Sequence, residues 1–104
     1  MKLSITGLNH RTAPVEVREK IAFDERALPD ALQELKSQDG IDEAFILSTC
    51  NRVEVAVSTT DDTDPKPRLL LFLSRSGHVE PESLRQHLYH HEGTEAVRHL
   101  FRVA

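Results

Sequence analysis

Alternating runs and helical stripes of apolar residues divide this chain into a short series of elements. Leu3, Ile5 and Gly7 alternate with Ser4, Thr6 and Leu8, which predicts a strand over 2–9. Asn9-His10-Arg11-Thr12-Ala13-Pro14 breaks the run, and Pro14 suits the first turn of a helix, where its missing N–H costs nothing. A short helix over 14–22 places Val17 and Ile21 on one face, with Glu16, Arg18, Glu19 and Lys20 toward water. Leu28, Ala31, Leu32 and Leu35 form a second stripe that runs to about Gln38. Asp24 suits its N-cap, and Phe23 with Leu28 matches a hydrophobic staple. Pro29 inside a helix would cost about 3 kcal/mol, so the regular helix is expected from Pro29, with 24–28 as a leading turn. Asp39-Gly40 ends it.

The apolar run Ala44 to Leu47 and the alternating Val53, Val55 and Val57 predict strands over 43–48 and 52–58 that meet near Cys50. A polar, acidic loop follows from Thr59 to Pro65. Residues 66–76 read as a helix whose apolar face is Leu69, Leu70, Phe72 and Leu73, stopped at Gly77-His78. Pro81 opens another short helix to about Leu88, Tyr89-His90-His91-Glu92 reads as a short strand, and a last helix starts near Gly93-Thr94. There Ala96, Val97, Leu100, Phe101 and Ala104 recur at helical spacing with no stop signal, as in a chain that continues into a longer protein. This order predicts an α+β sandwich of the ferredoxin-like kind. Its helices pack on one face of a small, mostly antiparallel sheet, and the terminal helix leads toward a further domain.

A length of 104 residues sets one domain with a single core, and 38% apolar with 29% charged residues is the composition of a soluble globular protein. The longest apolar run, Leu69 to Leu73, is far short of a membrane span, and Met1 leads straight into strand pattern without a signal peptide. A cytoplasmic location is therefore expected. The net charge of -4 argues against a general nucleic-acid binder, although residues 65–104 carry 6 Lys/Arg against 4 Asp/Glu and five of the six histidines.

The only cysteine, Cys50, rules out an intrachain disulfide. Arg52 follows two residues later and, in an extended chain, leaves the same face; a guanidinium beside a thiol favours the nucleophilic thiolate. A lone cysteine is commonly a small buried hydrophobe. Here Val53, Val55 and Val57 claim the core face and turn Cys50, Arg52 and Glu54 the other way. His99 falls beside Val103 at the edge of the terminal helix's apolar face. His90 and His91 on a strand point to opposite faces, so both do not readily serve one metal ion, and no metal site is expected. His10 lies in a loop after the first strand, where sites often sit. No nucleotide-binding glycine loop and no serine elbow is present.

Three segments carry a resemblance. Gly7-Leu8-Asn9-His10-Arg11-Thr12-Ala13-Pro14-Val15 with Arg18-Glu19, then Leu47-Ser48-Thr49-Cys50-Asn51-Arg52-Val53-Glu54, then His99-Leu100-Phe101-Arg102-Val103-Ala104 resemble the glutamyl-tRNA reductase family in order and spacing. The resemblance spans the chain and corresponds to the family's N-terminal catalytic domain only, residues 1–104. It implies reduction of glutamyl-tRNA by NADPH to glutamate-1-semialdehyde, the first step of five-carbon tetrapyrrole (heme) synthesis, through a Cys50 thioester. It further implies that Arg52 recognises the glutamyl group, that Thr49 and Asn51 are adjacent substrate contacts, and that His99 polarises the reacting carbonyl or transfers its proton. NADPH binding and homodimerisation fall to domains beyond this chain. The rival classes are a noncatalytic ferredoxin-like RNA-binding module, which calls for exposed sheet aromatics and a basic face, and a cysteine hydrolase or acyltransferase without hydride transfer.

Overall fold

Strand β1 (Lys2–Asn9) lies inside a four-stranded antiparallel sheet of order β2-β3-β1-β4, where β2 is Ile41–Ser48, β3 is Arg52–Thr59 and β4 is Tyr89–Glu92. The computed structural model describes residues 2–60 and 62–103; Ala104, the last position of the terminal stripe, lies outside them with Met1 and Asp61. The helices are α1 (Val15–Ile21), α2 (Leu28–Lys36), α3 (Lys66–Gly77), α4 (Pro81–Arg85) and α5 (Thr94–Val103). This is the α+β sandwich the sequence predicts.

The register sorts the sheet into two faces. Val53, Val55 and Val57 pair with Leu8, Thr6 and Ser4, so these residues share one face. The three valines and Leu8 join Ile21 of α1, Leu35 of α2, Leu69 and Leu73 of α3 and Leu84 of α4 in the main core. Phe23 stacks on Phe72 at 5.8 Å and closes the α1–α2 connection over that core. Asp24 caps the leading turn, its Oδ1 accepting Ala27 N–H at 2.9 Å, and α2 then starts at Leu28 with Pro29 in its first turn, where proline is tolerated. Helix α3 ends on His78 in the left-handed region at φ 54°. Gly77 takes the position before it because an added Cβ would lie 2.5 Å from Ile21 Cγ2.

The opposite face is covered too. Ile5 and Ala56 pack against Ala96 of α5, with Leu3 and Leu100 around them. The terminal helix is thus a second layer as well as the last element. Its inward side is also displaced from the apolar stripe: Ala96 and His99 are buried, whereas Val97 is exposed and Phe101 is 81% exposed. Residues 96, 99 and 103 share one side at about 100° per residue. His99 reaches the interior because a buried partner receives it.

Candidate functional site

The β2–β3 connection is a tight hairpin. Thr49 N–H donates to Arg52 O at 2.8 Å, leaving Cys50 and Asn51 at the tip. The Thr49 hydroxyl oxygen accepts both Asn51 N–H and Arg52 N–H at 3.2 Å, which is how threonine stabilises such a turn. Ser48 Oγ accepts Phe23 N–H at 2.9 Å, tying the end of β2 to the α1–α2 connection. Cys50 is exposed and its thiol is free.

Two expectations change here. Because Cys50 occupies a turn, the same-face argument for an extended chain does not apply to it and Arg52. Arg52 instead directs Nη1 to Glu54 Oε2 at 3.5 Å. The guanidinium that contacts Cys50 belongs to Arg18 of α1, whose Nε donates to the Cys50 carbonyl at 3.3 Å while Nη1 donates to Ala13 O at 2.8 Å. Arg18 thereby links the hairpin tip to the β1–α1 connection. Asn9 and Thr12 close that connection on their own backbone, with Asn9 Oδ1 accepting from Arg11 and Thr12 at 2.9 and 3.1 Å. His10 is exposed within it.

Beside the hairpin, the sheet face covered by α5 holds a polar cluster centred on Glu54, which is 3% exposed. Its Oε2 accepts from Arg52, from the Tyr89 hydroxyl and from Nε2 of His99, whereas Oε1 is buried with no partner among the described residues. His99, 9% exposed, is flanked by two rings from β4, His91 stacked at 4.5 Å and Tyr89 tilted at 5.3 Å. Strand register puts them there: Tyr89 pairs with Gly7 and His91 with Ile5, so both face α5. Gly7 also pairs with Glu54, and a Cβ on it would lie 2.8 Å from Glu54 Cγ. Burial and then the Glu54 contact push the Tyr89 hydroxyl well above its ordinary pKa, so it remains a donor at neutral pH. Burial, then the charge of His99, holds the His91 imidazole below its ordinary pKa.

The alternation expected for His90 and His91 is present. His90 points to the main-core side, where Nδ1 meets Thr6 Oγ1 at 2.7 Å and Nε2 meets Glu92 Oε1 at 2.9 Å. Among the described residues no group of three or more metal-ligating side chains converges. On that side a cavity of about 570 Å³ is lined by Leu70, Arg85, Leu88, Tyr89 and His90, with neither Cys50 nor His99 in its wall. The structure therefore gathers Arg52 and His99 on one carboxylate next to the turn formed by Thr49, Cys50 and Asn51. Glu54, Tyr89, His91 and Arg18 are residues of the site to which sequence reasoning gave no site role, although Glu54 and Arg18 lie within the resembling segments and His91 was weighed only as a metal ligand. The signal for Glu54 was a charged residue between valines in a strand covered on both faces.

Fold and site together define an α+β domain that displays a lone thiol on a hairpin beside a carboxylate-anchored histidine and arginine, a set suited to acyl transfer onto sulfur. The family model described as "Glutamyl-tRNAGlu reductase, N-terminal domain" matches residues 6–104. The chain is 57% identical over its full length to glutamyl-tRNA reductase of Solibacter usitatus, covering 25% of that protein, and 43% identical to that of Trichlorobacter lovleyi, covering 24%. Its structure matches "Glutamyl-tRNA Reductase from Methanopyrus kandleri" with a TM-score of 0.71 and 31% identity, over 97% of this chain and 21% of that one. The chain belongs to the glutamyl-tRNA reductase family and corresponds to its N-terminal domain. It spans about a quarter of the length of these relatives.

Proposed function

We propose that this domain binds the glutamyl end of glutamyl-tRNA and takes the acyl group onto Cys50, as the catalytic part of a glutamyl-tRNA reductase in tetrapyrrole synthesis. The observation that carries the reading is the shared carboxylate of Glu54, which holds Arg52 and His99 beside the hairpin that exposes the Cys50 thiol. The Cys50 thiolate attacks the ester carbonyl carbon, the carbon–sulfur bond forms, and the ester carbon–oxygen bond breaks. The terminal ribose oxygen leaves with that electron pair and takes a proton, a transfer suited to His99. Arg52, engaged with Glu54 through Nη1, has further N–H donors for the side-chain carboxylate of the glutamyl group. Thr49 and Asn51 shape the turn around the thiol.

NADPH would supply the hydride that reduces the resulting thioester to the aldehyde. The β1–α1 connection does not fit that cofactor: residues 9–14 include no glycine, and Asn9 and Thr12 occupy their own backbone N–H groups. Its binding is assigned to parts of the protein outside these residues. Among the described residues no helix is long and apolar enough to cross a membrane.

The test is to incubate the protein with glutamyl-tRNA, quench in acid and measure the mass of the peptide containing Cys50. A glutamyl adduct on Cys50, absent in Cys50→Ser, is expected. Full reductase turnover by Cys50→Ser in the full-length protein would rule the covalent route out.

A further inference from the structure

A hydrogen bond to one ring nitrogen fixes the position of a histidine but leaves its ring free to rock about that bond. The Glu54 contact to His99 Nε2 is such a bond, and Nδ1 has no hydrogen-bond partner among the described residues. We propose that His91 and Tyr89, on β4, are positioning residues that hold the His99 ring in one orientation for its part in the acyl transfer. This rests on the reading of His99 given above.

The two rings act differently. His91 lies against His99 at 4.5 Å with planes 30° apart, a stack that blocks rocking toward β4. Tyr89 sits at 5.3 Å and 57° to His99, and its hydroxyl donates to the same carboxylate oxygen that His99 uses. Tyr89 therefore fixes the ring and its anchor together. Gly7 between them permits the arrangement, since a side chain there would enter the space of Glu54.

His91 suits a stacking role because it stays uncharged at neutral pH. The groups acting on it are Glu54 from β3, His99 and Glu95 from α5, and His90 on its own strand. Burial is the largest influence and His99 the next, both disfavouring a charge on His91. Burial and the neighbouring His99 both disfavour a proton on His91, so protonation of His91 in acid works against the stack and loosens the clamp.

The experiment compares His91→Ala, His91→Phe and Tyr89→Phe in the full-length protein. It reads the rate of Cys50 adduct formation from glutamyl-tRNA against pH, together with the His99 ring-proton signals by NMR in this chain. His91→Ala should slow adduct formation by about tenfold to a hundredfold, the cost of losing a fixed geometry. His91→Phe should keep most of the rate, because the stack survives, and should extend activity to lower pH, because the residue no longer titrates. Tyr89→Phe should be slowed and should shift the His99 signals. If His91→Ala reacts like the parent with unmoved His99 signals, the proposal is overturned. It is equally overturned if His91→Phe is as slow as His91→Ala with an unchanged pH profile. Should His91→Ala fail to fold, the two phenylalanine variants decide through the same profile and signals. Should the parent itself form no adduct, the acyl-transfer reading fails, while the NMR signals still report whether the rings hold His99.

Discussion

His99 of α5 donates its Nε2 hydrogen to the buried carboxylate of Glu54 on β3, 45 residues earlier in the sequence. The contact joins the terminal helix to the sheet and sets a polar cluster beside the apolar contact of Ile5, Ala56 and Ala96. Removing the acceptor strands three donors at once. Glu54→Ala should destabilise the domain by about 3 kcal/mol, as expected when one partner of a buried charged network is deleted. Glu54→Gln, which retains an oxygen acceptor, should cost less. Urea unfolding of this chain measures both, and equal stability of parent and Glu54→Ala would show that the contact contributes nothing.

Gly7 stands opposite Glu54 and Tyr89 in the sheet. Its substitution by alanine would place a Cβ 2.5 Å from Val53 O and 2.8 Å from Glu54 Cγ. Backbone cannot yield that distance cheaply, so strand separation or expulsion of the Glu54 side chain follows. Gly7→Ala should lose about 1–3 kcal/mol, the usual range for overpacking, and should shift the ring signals of His99 and Tyr89. A thermal midpoint and a ring spectrum identical to the parent would count against this packing.

Most of the architecture was legible from periodicity, because each strand and helix has a face that must be buried. The leading turn before α2 was legible from Pro29, and the two-sided display of His90 and His91 from the period of a strand. The cover on the second face was not. Ala56 lies between Val55 and Val57 of β3, on the face their alternation turns away from the main core, yet it packs against Ala96 of α5, and only tertiary packing shows it. The same omission hid Glu54. Cys50 and Arg52 were found by residue type, but their mutual geometry depended on a turn closed by Thr49, which strand alternation does not reveal.

On the other face, Glu92 ties the edge strand β4 to β1. Its carboxylate meets His90 at 2.9 Å and Lys2 at 3.3 Å. The His90 hydrogen bond, opposed by burial and aided by Lys2, holds the Glu92 carboxyl below its ordinary value of 4.5. A depressed carboxyl stabilises the fold above the unfolded value, and that contribution disappears as pH falls through the folded one. Glu92 is 38% exposed, so solvent screening limits the effect to no more than about 1 kcal/mol. Glu92→Gln should therefore be less stable than the parent at neutral pH, and the difference should shrink as pH falls below the ordinary carboxylate range. A difference that persists unchanged in acid would assign the effect to shape instead of charge.

Arg52 is partly buried and already engaged with Glu54 at 3.5 Å. Lysine has no second prong to spare for a substrate carboxylate once its ammonium meets Glu54. Arg52→Lys in the full-length protein should lose on the order of 2–5 kcal/mol in kcat/KM for glutamyl-tRNA, with the fold intact. Retention of most of that activity would reassign Arg52 to holding Glu54 alone.

Arg18 offers a separation between exposure of the thiol and its placement. Its guanidinium spans from the Ala13 carbonyl to the Cys50 carbonyl, so it holds the hairpin tip against the start of α1 without contacting the sulfur through a hydrogen bond. Cys50 is exposed at the hairpin tip. A small alkylating reagent needs only access, whereas acyl transfer from a bound ester needs the sulfur at a defined distance and angle. Arg18→Ala should therefore leave alkylation of Cys50 by iodoacetamide nearly unchanged and slow formation of the glutamyl adduct by about tenfold. Parallel loss of both rates would mean that Arg18 acts on the thiol's reactivity. Loss of neither would mean that the hairpin holds its shape through Thr49 and Ser48 without help from α1.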